Sequence, residues 1–222
     1  MTWDARDRRV LKRMLEQLRR PVRLTVVPRP DPGPDPAWEV VDALVELAPS
    51  HIRATRKDPD APLAEADRWP PPVLGAPVIL VPGPHPGYPP FIFQGVPAGY
   101  QFATLLEAII DQSTGRPVLG AEARDRLRDL PAPVSLTVFV LPTCPYSPRA
   151  ARLAQGAARA NRRVHTRVVD VGGLGDAAQS LPVEAVPRIV VSRPDRTTQI
   201  LLDGIPLEHQ LVDAIREIAA LS

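Results

Sequence analysis

Two periodicities divide the chain. Runs that alternate apolar and polar positions between Pro, Gly or Asp predict strands at 22–27, 51–55, near 77–81, 91–94, 134–140, 164–170, 188–193 and 198–202. Between them, apolar residues three and four apart predict helices at 4–19, 36–48, 98–112, 121–130, 147–162 and 207–221, with a short one within 174–180. In helix 147–162 the inward stripe is Ala150, Leu153, Ala154 and Ala157. A matching short helix is not expected in the first half, because DPDAPLAEADRWPPP at 58–72 carries too many prolines.

The pattern occurs twice. PVRLTVV at 21–27 returns as PVSLTVFV at 133–140, 112 positions on; APVILV at 76–81 returns as VPRIVV at 186–191, aligning Pro77 with Pro187, 110 on. GVPAGYQFATLLEAII at 95–110 returns as GIPLEHQLVDAIREIA at 204–219, 109 on when Pro97 is set on Pro206. Leu15 and Leu18, ahead of the first strand, fall on Leu127 and Leu130 at the first of these displacements. Landmarks that keep order and nearly constant spacing predict one structural unit used twice, over 1–116 and 117–222. Each unit, a βαβ crossover followed by a strand pair and a last helix, is of the α/β class with a central mixed sheet flanked by helices.

Composition narrows the function classes. With 44% hydrophobic residues in 222, the chain can bury a core. Its 29 prolines, about 13% against a usual ~5%, gather in 28–36, 59–97 and 131–148 and punctuate loops. The net charge is +2, with no basic stripe interleaved with aromatics, so no nucleic-acid partner is expected. No apolar window approaches the ~18 residues of a membrane span, and MTWDARDRRVLKRMLEQLRR is charged throughout where a signal peptide needs an apolar centre; the expectation is a cytoplasmic protein without a membrane partner. One cysteine excludes an intrachain disulfide, and His51, His85, His165 and His209 are too far apart for a local zinc motif, so no metal site is expected.

That cysteine sits in LPTCPYSPRA at 141–150, between a strand and a helix. Unpaired backbone N–H groups and the positive end of the helix dipole favour a thiolate there, and Pro145 fits because its missing N–H would have no partner. Arg149 adds a nearby positive charge. The other arginines of this helix region, Arg152, Arg159, Arg162 and Arg163, read as a solvated face, Asp31 and Asp35 as helix caps, and the stretch 82–90 as a proline-rich connection between strands. Trp3, Trp38 and Trp69 are too scattered for a binding platform. The competing reading of Cys144 is a small packing residue on an inert scaffold.

The order of elements, with FVLPTCPYSP after the first strand of the second unit and AVPRIVV opening its third, resembles the thioredoxin fold. Two such units in tandem, with GVPAGYQF in the first, resemble the glutaredoxin-like protein disulfide oxidoreductases over roughly residues 10–222. TCPYSP is similar to that family's Thr-Cys-Pro-Tyr-Cys-Pro. The departures are Ser147, which stands where the family has its second cysteine, and Pro32-Gly33-Pro34-Asp35, which occupies the motif's place in the first unit without sulfur.

The resemblance implies that Cys144 is the attacking sulfur, that Pro145, Tyr146 and Ser147 complete its motif with Tyr146 shaping access, and that Pro187 is a cis-proline beside it. Val186 and Pro187 would then bind substrate, the backbone of Val186 pairing with an extended peptide. A serine cannot resolve a mixed disulfide. An external thiol, glutathione or another low-molecular-weight thiol, is therefore the expected co-substrate, with no bound cofactor and with protein or small-molecule disulfides as partners. A cluster shared between subunits, as in some monothiol glutaredoxins, is disfavoured because CPYS departs from the Cys-Gly-Phe-Ser usual there. A degenerate, non-catalytic thioredoxin-like scaffold or binding module is the alternative.

Overall fold

The computed structural model describes residues 3–29, 33–58, 76–175, 178, 181 and 183–221. Its elements in chain order are α1 (Ala5–Leu15), β1 (Val22–Val27), α2 (Pro36–Leu47), β2 (Ile52–Arg56), β3 (Val78–Val81), β4 (Phe91–Gln94), α3 (Tyr100–Thr114) and α4 (Ala121–Arg126). There follow β5 (Val134–Val140), α5 (Ser147–Ala160), β6 (Val164–Asp170), a 3-10 turn (Val171–Gly173), β7 (Arg188–Ser192), β8 (Gln199–Asp203) and α6 (Glu208–Ala220).

Local chemistry sets the ends. The Asp4 side chain accepts from the N–H groups of Arg6 and Asp7 and starts α1. Asp35 accepts from the Trp38 N–H and caps α2, with Pro36 in the first turn. Asp31 and Trp69 lie outside the described residues. Gly115, at φ +70, takes the left-handed position that closes α3.

The strands form one eight-stranded sheet in the order β2-β1-β3-β4-β6-β5-β7-β8. Each half contributes four strands arranged alike: β1 parallel to β2 and antiparallel to β3, β5 parallel to β6 and antiparallel to β7. The halves join edge to edge, through parallel pairing of Phe91–Gln94 with Thr166–Val169. All four residues of β4 are buried, which suits a strand covered on both faces. All six helices contribute to one apolar cluster with alternate strand residues, among them Leu24, Phe93, Leu136 and Val168.

The expected order of strands and helices is observed, with shifted ends. The first helix stops at Leu15 instead of 19, the fourth at Arg126 instead of 130, although Leu18, Leu127 and Leu130 stay buried in the turns that follow. A 3-10 turn at Val171–Gly173, opened by the Asp170 carboxylate accepting from the Gly172 N–H at 3.0 Å, follows β6; the short helix expected within 174–180 falls largely on 176, 177, 179 and 180, which lie outside the described residues, as does most of 58–72. No helix among the described residues is long and apolar enough to cross a membrane.

Two helices meet across the seam. α3, from the first half, packs on α5, from the second. α5 presents Ala150, Ala151, Ala154, Ala157 and Ala158, all buried, which lets backbones approach closely. Arg152 and Arg159 correct the expectation of a solvated basic face. Arg152 grips the buried Asp111 of α3 with two hydrogen bonds of 2.9 Å, and Arg159 Nη1 donates to Gln112 Oε1 at 2.7 Å. A carboxylate that packing has removed from water needs such a partner. Deeper in the sheet, Arg167 is 1% exposed and donates to Gln94 Oε1 across the β4–β6 junction; burial pulls its pKa down to about 9.

Candidate functional site

Cys144 lies in the turn leading from β5 into α5, three positions before the first helical residue, and its N–H donates to the Leu141 carbonyl at 3.1 Å. The thiol is half-buried. Its Sγ is 3.7 Å from the carbonyl oxygen of Val186, within reach of a weak S–H hydrogen bond. Val186–Pro187 is the one cis peptide bond among the described residues, so the aligned Pro77 of the first half is trans. Sequence positions 144 and 186–187, expected to act together, are thus side by side.

The four motif residues separate by exposure. Pro145 is exposed and Tyr146 is 63% exposed, flanking the sulfur on the solvent side. Ser147 is fully buried as the first residue of α5, and its hydroxyl has no hydrogen-bond partner among the described residues. A buried hydroxyl without a partner carries an uncompensated desolvation cost. A thiol, a weaker donor and acceptor, would carry less.

The peptide facing Cys144 is held from behind. Pro187 is buried and its carbonyl accepts from the Gly204 N–H at 2.8 Å, just as Pro77 accepts from Gly95 at 2.8 Å in the first half. The next residue, Arg188, forks onto Asp203 of β8 at 2.6 and 3.1 Å. These bonds fix where β7 begins, and so where Val186 meets the sulfur.

The first half also braces the cysteine loop. Tyr100 N–H donates to the Pro142 carbonyl and Gln101 Nε2 to the Leu141 carbonyl, each at 2.9 Å. Gly99, at φ +54, comes so close that a Cβ there would lie 2.4 Å from the Pro142 oxygen. Under the same loop, a Cβ on Gly172 would lie 3.1 Å from Leu141 Cδ2, and Asp170 is 4% exposed. Burial raises the pKa of Asp170, opposed by its bond from Gly172. None of these braces was among the residues singled out from the sequence. GVPAGYQF carried the signal, since glycine replaces glutamate at the second repeat's helix start and frees the backbone to approach the other half.

In the first half the aligned position is a helix cap. Asp35 holds the start of α2, Arg56 is 3.4 Å from its other oxygen, and Pro32 lies outside the described residues. The expected exclusion of thiol chemistry there rests on composition, since Cys144 is the one cysteine of the chain.

No protein-family model matches the chain, and no curated protein matches it in sequence. Solved structures do match. The protein disulfide oxidoreductase of Aeropyrum pernix is 20% identical, the alignment covering 99% of this chain and 94% of that one, with a TM-score of 0.78. A mutant of the alkylhydroperoxide reductase component AhpF from Enterococcus faecalis is 20% identical, covering 97% of this chain and 100% of that one, with a TM-score of 0.75. These likenesses identify the fold: two tandem thioredoxin-like units, as expected from the sequence.

Proposed function

We propose that this protein carries out thiol–disulfide exchange at Cys144, by a monothiol cycle in which an external thiol completes the reaction. The single observation that supports this reading most is the half-exposed Cys144 sulfur facing the Val186 carbonyl while Ser147 is buried beneath the motif. The solved structures of like fold include a protein disulfide oxidoreductase. Residues 117–222 form the unit that carries the chemistry, and 1–116, without cysteine, a unit that braces it.

In the first step the Cys144 thiolate attacks the glutathione sulfur of a protein–glutathione disulfide. One S–S bond breaks, the protein leaves as its thiolate and takes up a proton, and a new S–S bond joins Cys144 to glutathione. In the second, an external glutathione thiolate attacks that bond, forming oxidised glutathione and returning the Cys144 thiolate. Ser147 takes no part. Val186 and Pro187 offer a ledge for the substrate's extended backbone, with Tyr146 on its open side. The reading places the protein in the cytoplasm, where low-molecular-weight thiols are kept reduced, with no resident cofactor and no part for nucleic acid.

The test is glutathione-dependent reduction of a glutathionylated peptide. Turnover by the protein that Cys144→Ala abolishes supports the cycle. No turnover, or turnover unchanged in that variant, supports an inert scaffold instead.

A further inference from the structure

At the opposite end of α5 from Cys144, the two halves and α4 enclose a cleft of about 350 Å3 lined by Arg116, Arg124, Arg128 and Arg159, with Asp125 and His85 at its edge. The separation is large: the 14 residues of α5 span roughly 20 Å. Four arginines thus line one concavity with one carboxylate, and Asp125 is engaged by Arg128.

The others form no ion pair among the described residues. Arg116 and Arg124 have no carboxylate partner among the described residues. Arg159 is half-buried and its charge is met by the neutral Gln112 amide, while its Nε, buried, has no partner among the described residues. Asp111, the nearest carboxylate on α3, is already occupied by both nitrogens of the Arg152 fork. Burial disfavours the Arg159 cation, the Asp111 charge partly offsets this, and the nearby Arg20 adds to it. The C-terminal ends of α3 and α5 supply at most about half a negative charge each. Against four positive charges, Asp125 and both helix ends leave an excess of about two.

We propose that this cleft binds a small dianion of the phosphate class, held across the seam by the guanidinium groups of Arg116, Arg124 and Arg159. Planar guanidinium forks match phosphate oxygens two at a time, and the volume holds roughly ten waters at ~30 Å3 each, room for a pyrophosphate or a phosphate with a small substituent. A longer polyanion would run past the cleft toward Asp129. The site is independent of Cys144, so it stands or falls apart from the exchange reaction.

The test is titration calorimetry with inorganic pyrophosphate at constant ionic strength, on the full chain and on Arg124→Gln, Arg159→Gln and, as a remote control, Arg8→Gln. The expected result is saturable one-to-one binding that weakens about tenfold or more with loss of Arg124 or Arg159 and is unchanged in Arg8→Gln. Arg124 is exposed, so its variant keeps the readout if Arg159→Gln fails to fold. Absence of saturable binding, equal weakening in Arg8→Gln, or an unchanged Kd in Arg124→Gln would overturn the proposal, as would binding of duplex DNA with pyrophosphate inert.

Discussion

The Cys144 sulfur stands 3.7 Å from the carbonyl oxygen of Val186, across the turn that opens β7. A peptide lying along Val186–Pro187 would therefore bring its own sulfur to Cys144, whatever the rest of its sequence. In the proposed exchange, recognition by backbone and reaction at sulfur would share one surface.

Ser147 tests what that surface was shaped to hold. Its buried, unpartnered hydroxyl means that Ser147→Ala is expected to stabilise the fold by about 1 kcal/mol, read as a raised urea midpoint at unchanged slope. Adduct formation at Cys144 should be untouched. Ser147→Cys should gain a disulfide to Cys144 on mild oxidation, seen as protection of both sulfurs from alkylation, and, starting reduced, should discharge a glutathione adduct at Cys144 once without external thiol, ending as that disulfide.

The seam ion pair predicts a contrast between two arginines. Arg152→Ala leaves the buried Asp111 without its fork, and because Arg152 is itself part-exposed the expected loss is about 2 kcal/mol, below the 3–5 of a fully buried pair. Arg8→Ala removes a pair with Glu46 in which both side chains are exposed, and should cost no more than about 1 kcal/mol. Urea unfolding of the two variants measures both.

Asp170 gives a pH dependence. Burial raises its folded pKa above the unfolded value, so its contribution favours folding below the ordinary carboxylate range and is lost as pH rises through the folded pKa. Asp170→Asn escapes that loss and can still accept from Gly172. It should be more stable than the parent at pH 7, with the advantage shrinking as pH falls through the raised folded pKa and gone below the ordinary carboxylate range, in parallel unfolding titrations.

Two glycines of positive φ separate backbone strain from collision. Gly204, at φ +71, has nothing within 4 Å of a new Cβ, so Gly204→Ala should cost only the left-handed penalty, about 1–2 kcal/mol. Gly99→Ala adds a collision with the Pro142 carbonyl at 2.4 Å. It should cost clearly more than Gly204→Ala in the same denaturation assay and should slow alkylation of Cys144 by displacing its loop.

Much of this was legible in the chain. VRLTVV and VSLTVFV announce strands by alternation, and their spacing announces the second unit. The joining of β4 to β6 was not legible, because Phe91–Gln94 and Thr166–Val169 are far apart in sequence and parallel pairing leaves no turn to mark it. A trace existed, since FIFQ lacks a solvated face and so reads as a central strand. Asp111 was a second trace: it extends the buried positions Thr104 and Ala108 at helical spacing, which required a cation that only another helix could bring. At the site, the motif gave Cys144 and Val186–Pro187, but not the bracing by Gly99, Tyr100 and Gln101, which depends on how the halves meet.

The most direct measurement of the central claim is the intact mass of the protein after exposure to oxidised glutathione, followed by addition of free thiol. The account predicts a single glutathione adduct, absent in Cys144→Ala, that free thiol removes to restore the starting mass. A Cys144 that stays unmodified, or an adduct that free thiol does not discharge, would contradict it.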